Sequence, residues 1–152
     1  MTVPDSTQPQ KAQHKLHAIQ LIAVQPLILS VSAQSDPDEM KNFEGTIQLE
    51  STHSDYNEEL KTLHVKVRAV IPQESGLPLS MHVEILGVFQ VDESQFDKKY
   101  INDWASNNAP LVLYPFLREQ VFSLSVRVGA QGLIVPLIEV PTFKVVSPTT
   151  QN

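Results

Sequence analysis

Residues 107–120 read NNAPLVLYPFLREQ, an apolar run that contains two prolines and ends abruptly on an Arg-Glu pair. A proline lacks the backbone N–H and its ring clashes with the preceding helical turn, but it fits well in the first turn of a helix. We therefore predict that a helix begins at Pro115. Residues 111–114 then form an apolar lead-in segment, which has to be buried against another part of the protein.

Length and composition indicate one soluble domain. The chain has 152 residues, of which 41% are apolar, and this is enough for a substantial core. Its net charge of -6, with lysines and arginines scattered singly, disfavours nucleic acid as a partner and favours polypeptides. The absence of cysteine excludes disulfides and thiolate chemistry. Without a long apolar span, no membrane insertion is expected, and we predict a cytoplasmic protein.

The two ends of the sequence are poor in groups that could offset the entropy of ordering the chain. The first begins MTVPDSTQPQKAQ, and the last six residues are SPTTQN. We expect residues 1–13 and 147–152 to be disordered and residues 14–146 to form the folded domain.

Apolar residues that recur at every second position predict four strands. They cover residues 16–33, 46–50, 63–71 and 79–91, and the first is expected to be broken at Pro26, because a proline within a sheet needs an edge or a bulge. The clearest alternation is in the third strand, whose apolar members are Leu63, Val65, Val67, Ala69 and Ile71. Helical spacing of apolar residues follows over residues 97–106.

The segment after Pro115 fits two patterns. As a helix it has one apolar stripe, made of Leu117, Val121, Leu124 and Val128. As a strand it has alternating apolar residues, namely Phe122, Leu124, Val126 and Val128. Periodicity alone leaves both open. If the segment is a helix, Phe122 and Val126 form a second apolar face, and the helix must be covered on two sides.

Signatures of catalysis or metal binding are missing. His14 and His17 have the spacing of a helical pair, but no HExxH pattern or cysteine accompanies them. Asp36, Asp38 and Glu39 flank a proline in a loop-like segment, where solubility explains them better than acid-base chemistry does. The sequence also has no GxSxG, GxGxxG or P-loop motif. We expect no enzyme, no metal site and no cofactor.

Some loop-like segments carry more large apolar side chains than connectors require. These residues are Met40, Phe43, Leu133, Ile134, Val135, Leu137 and Ile138. They either close the core or line a groove for other polypeptide chains. The residues alone favour the first interpretation, because large exposed apolar patches are uncommon on monomers.

The stretch NNAPLVLYPFLREQVFSLSVRVG, residues 107–129, resembles the signature of the SecB family of export chaperones. Members carry an Asn-Pro step, an apolar run, an aromatic-Pro-aromatic triplet, an Arg-Glu pair and a helix that leads to an apolar loop containing proline. Here the triplet is Tyr114-Pro115-Phe116, and the loop is GLIVPLIEV. The stretches MHVEILGVFQVDE and ELKTLHVKVRAV are similar to the family's last two strands, so the resemblance covers residues 16–143.

The resemblance implies an α+β fold in which a long helix packs on one face of a four-stranded antiparallel sheet. It therefore favours the helical interpretation after Pro115. In this family, dimers form through the sheets, and two dimers join through the long helices. The resemblance thus implies a homotetramer with Phe122 and Val126 at the helix interface.

The activity implied by the resemblance is ATP-independent holding of unfolded, often presecretory, polypeptides. Clients would lie in an apolar groove lined by Met40, Phe43, Leu133, Ile134, Val135, Leu137 and Ile138. The family partner is the export motor SecA, but Pro26, Ser30 and His82 stand where we match acidic SecA-binding residues. An antitoxin is the alternative client, as in SecB-like chaperones of toxin-antitoxin systems.

Overall fold

The computed structural model describes residues 14–36, 38–40 and 45–136. The predictions for residues 1–13 and 147–152, and for Phe43, Leu137 and Ile138, lie outside these described residues. Within the described part, four strands and two α-helices follow one another along the chain. They are β1 (Ile19–Ala33), β2 (Gln48–His53), β3 (Thr62–Ile71), β4 (Leu79–Val91), α1 (Ile101–Asn107) and α2 (Ala109–Arg127).

The strands form one antiparallel sheet in the order β1-β4-β3-β2. Helix α2 packs on the two central strands, β3 and β4. This arrangement confirms the predicted α+β class. The alternation in β3 is also confirmed, since Leu63, Val65, Val67, Ala69 and Ile71 are all buried. Among the described helices, none is long and apolar enough to cross a lipid bilayer.

Strand β1 continues through Pro26 instead of breaking there. Its pairing with β4 shifts register between Leu21 and Ala23 and again between Pro26 and Ile28. Strand β1 lies at an edge of the described sheet, and only one of its sides pairs with another strand. A proline is tolerated there, because the N–H that it lacks can be one that would face the unpaired side. Strand β2 also differs from the predicted residues 46–50: it begins at Gln48, and pairing with β3 carries it on to His53.

Helix α2 begins at Ala109, six residues before the predicted start at Pro115. The proline that occupies its first turn is Pro110, where the missing N–H has no consequence. Pro115 lies inside the helix. The residues predicted as a lead-in segment are therefore helical, and Leu113 among them is fully buried on the sheet. The helical interpretation of the segment after Pro115 is confirmed.

Helix α2 approaches β4 closely at Gly87. A Cβ atom at this position would lie 2.5 Å from Cδ2 of Leu113. The absence of a side chain on Gly87 therefore lets Leu113 fill the space above the sheet. At the end of the sheet, Trp104 of α1 packs edge-on against Phe89 of β4, with ring centroids 5.1 Å apart. A short 3-10 turn, Lys98–Tyr100, precedes α1, so the predicted helix over residues 97–106 is confirmed with a later start.

The sheet face opposite α2 carries a buried carboxylate. Glu84 Oε1 lies 2.8 Å from Lys66 Nζ, and Glu84 Oε2 lies 3.0 Å from His82 Nε2. The hydrogen bond from Lys66 lowers the pKa of Glu84 most strongly, burial acts in the opposite direction, and His82 lowers the pKa further. Glu84 is therefore held in its charged form.

The Glu84→Gln variant should be less stable than the wild type at about pH 7, and the difference should shrink in acid. A lowered pKa in the folded state contributes stability above the usual value of 4.5, and this contribution is lost as the pH falls. Urea unfolding at several pH values measures the effect. The control is Glu50→Gln, because Glu50 and its partner Arg68 are both exposed. A difference in unfolding free energy between Glu84→Gln and the wild type that does not change with pH would contradict a lowered pKa of Glu84.

Candidate functional site

Beyond helix α2 the chain turns back along the helix. The amide of Ala130 donates to the carbonyl of Ser125 at 3.0 Å, and the amide of Leu133 donates to Ser125 Oγ at 2.9 Å. Farther along, the hydroxyl of Tyr114 donates to the carbonyl of Pro136. Because Tyr114 lies about three helical turns before Ser125, the chain must run antiparallel to α2. We call residues 130–136 the strap.

The strap lies against the side chain of Phe122 at Gly132. A Cβ atom built there would lie 2.1 Å from Cε2 of Phe122, so the backbone lies directly against the aromatic ring. Any side chain at this position would displace Phe122 or the strap. Phe122 therefore belongs to the wall formed by helix and strap, although about half of its surface remains exposed.

Residues 133–136 of the strap alternate in exposure, as expected for an extended segment. Val135 is fully buried, Leu133 is half-buried, and Ile134 is 71% exposed. Of the other residues predicted to line a groove, Met40 is buried in the core. The structure thus brings Leu133, Ile134 and Val135 together on the strap, but as described it exposes mainly Ile134. The assignment of these residues to client binding stays a prediction.

Two grooves border the strap. The larger, of about 500 Å³, lies between the strap and α2 and is lined by residues that include Pro115, Arg118, Glu119, Phe122, Leu133 and Ile134. The smaller, of about 220 Å³, lies on the other side and is lined by residues that include Gly45, Ile47, Ile71, Leu133 and Pro136. Leu133 and Ile134 line both grooves. The strap therefore separates the two grooves, and Ile134 is its most exposed aliphatic residue.

The surface of these two grooves is mainly apolar. In the described part of the chain, no three histidine, cysteine or acidic side chains converge as metal ligands would. Burial raises the pKa of Tyr114, while the nearby charge of Arg118 acts in the opposite direction. The phenol therefore stays protonated and can donate to the strap. Aliphatic and aromatic side chains provide most of the remaining surface that a ligand would meet.

The two residues predicted at a helix interface, Phe122 and Val126, are both exposed on α2. The stripe on the other side of the helix is covered by the sheet: Leu117, Val121 and Leu124 are buried, and Val128 lies just beyond the last helical residue. The helix is thus apolar on two sides. That a second pair of subunits covers Phe122 and Val126 stays a prediction.

No protein-family model matches the chain, and no curated protein sequence does. Among solved structures, similarity is found to the SecB-like chaperone Rv1957 of Mycobacterium tuberculosis, in complex with a ChAD peptide from the HigA1 antitoxin. The TM-score is 0.67 at 15% sequence identity, and the match covers 80% of this chain and 91% of that chain. The fold is SecB-like. A protein of unknown function from Streptococcus agalactiae also matches, with a TM-score of 0.48, 11% identity, and coverage of 78% and 97%.

The SecB-like fold accounts for the sheet and α2, but the contacts that hold the strap were missed in the sequence. Ser125 and Gly132 carry them together with the hydroxyl of Tyr114. A signal for Ser125 is present: it lies four residues after Val121, so a polar residue falls on the buried face of the helix. Gly132 belongs to GAQG, which by itself is typical of a turn.

Proposed function

We propose that this protein is an ATP-independent chaperone that holds unfolded polypeptides in the grooves beside the strap, without catalysing a reaction. The observation that carries the proposal is the exposed Ile134 between two apolar grooves on a SecB-like fold. Single exposed aliphatic residues are common, but this one lines two grooves at once. An apolar client segment laid across the strap would bury it.

The physical basis of holding is the removal of apolar surface from water. Burial contributes roughly 25 cal/mol per Å², independent of the order of residues in the client. A surface of this kind therefore recognises unfolded segments by their apolar side chains rather than by a sequence motif. Arg118 and Glu119 add one charge of each sign to the larger groove, so no net charge selects the client there.

A dedicated antitoxin chaperone is the second candidate. It is supported by the similar structure from Mycobacterium tuberculosis, whose bound ligand is an antitoxin peptide. A panel of unrelated unfolded proteins distinguishes the two candidates: a general chaperone binds them all with comparable affinity, and a dedicated one binds a single client far more tightly. Genes for a toxin and an antitoxin beside this one would favour dedication. A role in export would add SecA as a partner, which a direct binding measurement tests.

The test of holding compares the wild type with Ile134→Asp. We expect the wild type to suppress aggregation of a chemically denatured protein without nucleotide. The variant should bind the client about 10- to 100-fold more weakly, because a buried isoleucine contributes roughly 1.5–3 kcal/mol. Folding should be unaffected, since Ile134 is 71% exposed.

Leu60→Asp is the matched control for this experiment. Leu60 is also an exposed aliphatic residue, at 63%, but it lies in the turn before β3 and lines neither groove. Its replacement should leave holding unchanged. Absence of holding by the wild type, or equal loss in both variants, would contradict the proposed function.

A further inference from the structure

A buried serine joins the strap to helix α2. Ser125 is 0% exposed, and its hydroxyl makes two hydrogen bonds. The O–H donates to the carbonyl of Phe122 at 2.8 Å, and Oγ accepts from the amide of Leu133 at 2.9 Å. The Ser125 hydroxyl group thus acts both as a hydrogen-bond donor and as an acceptor.

Packing alone does not explain a serine at this position. Alanine is the better helix former, and a hydroxyl that bonds back to a carbonyl of its own helix slightly destabilises that helix. Burial of a hydroxyl also costs free energy unless its hydrogen bonds are made. An alanine could not accept the hydrogen bond that the amide of Leu133 donates to Ser125 Oγ. This bond connects the helix to the strap and not to the core.

The position of this bond matters for the grooves. It holds the backbone of Leu133, and Leu133 with its neighbour Ile134 lines both grooves. The hydroxyl of Tyr114 holds the strap a second time, at the carbonyl of Pro136. Two hydroxyl groups of one helix therefore fix the wall that the grooves share.

We propose that Ser125 is a positioning residue, which together with Tyr114 clamps the strap against α2 and so keeps the client-binding grooves preformed. The inference rests on the proposed function. A client that meets a fixed strap does not lose affinity to the ordering of that segment, whereas a client that meets a free strap does. Neither hydroxyl needs to touch the client.

The experiment compares the wild type with Ser125→Ala and Tyr114→Phe. We expect each variant to raise the client Kd about fivefold, the effect of one net hydrogen bond. In amide hydrogen exchange measured by NMR, Leu133 should exchange faster in Ser125→Ala, while the amides of β3 and β4 keep their protection. Tyr114→Phe retains the aromatic ring and tests the clamp at its other end, also in the event that Ser125→Ala does not fold.

Gln120→Ala is the matched control. Gln120 lies on the same helix but lines neither groove, and it forms no hydrogen bond to residues 130–136. Its replacement should change neither the Kd nor the exchange of Leu133. Unchanged protection of Leu133 in Ser125→Ala would overturn the clamp, and faster exchange with an unchanged Kd would overturn its role in binding. A wild-type protein that binds no client would overturn the proposed function instead, and the exchange rates would still decide whether the clamp exists.

Discussion

Replacement of Phe89 by alanine is expected to lower the free energy of unfolding by about 3–5 kcal/mol, because a large buried aromatic side chain is removed and a cavity remains. Phe89 is 1% exposed and packs edge-on against Trp104. Its neighbours across the sheet are Leu21 of β1 and Leu63 of β3. The variant therefore loses contacts between three strands and helix α1 in a single change.

Urea unfolding of the variant measures this loss. Phe116→Ala is the control, since it deletes the same side chain from a position on α2 that is 39% exposed. Its effect should be smaller, about 1 kcal/mol, because surface substitutions seldom cost much. Equal effects of the two variants would mean that the core is not centred on Phe89.

Replacement of Pro115 by alanine should make the protein more stable, by about 2 kcal/mol. A proline in the interior of a helix costs about 3 kcal/mol, because it removes a hydrogen bond and its ring clashes with the carbonyl four residues earlier. Part of this gain is cancelled, since alanine makes the unfolded chain more flexible and costs about 0.4–1 kcal/mol. Pro115 lies inside α2, and alanine there restores an N–H that can pair with Leu111.

The control for this change is Pro110→Ala. Pro110 lies in the first turn of α2, where the missing N–H has no helical partner to lose. Its replacement should be neutral or slightly destabilising. A loss of stability in Pro115→Ala would show that the proline shapes the packing of α2 on the sheet. Client binding should be measured for the same variant, because Pro115 also lines the larger groove.

These two prolines also show how far the helix could be predicted from the sequence. The local rule that a proline starts a helix applies to Pro110, but it was applied to Pro115, because the apolar residues between the two prolines were interpreted as a buried lead-in segment. Leu113 and Leu117, on either side of Pro115, are both buried. Packing of the helix on the sheet therefore outweighs the local cost of a proline inside the helix. By contrast, the alternation in β3 identified its buried face directly, because one face packs against the helix and the other does not.

The candidate site was less predictable than the fold. An excess of apolar residues indicated Leu133, Ile134 and Val135, but not which of them face the solvent. Their orientation is fixed by two hydrogen bonds: Ser125 Oγ accepts from the amide of Leu133, 8 positions away, and the hydroxyl of Tyr114 donates to the carbonyl of Pro136, 22 positions away. Local periodicity carries no information on such contacts. Met40 was predicted in the same group, but it is buried as part of the hydrophobic core.

The irregular edge of β1 has a consequence for behaviour at high concentration. A straight strand of 15 residues with an open edge would be a template on which further chains could stack. Its two register shifts and Pro26 divide this template into short pieces, none long enough for continuous pairing with an incoming strand. Under the proposed function, the protein could hold unfolded, strand-forming chains without joining their aggregates through its own backbone.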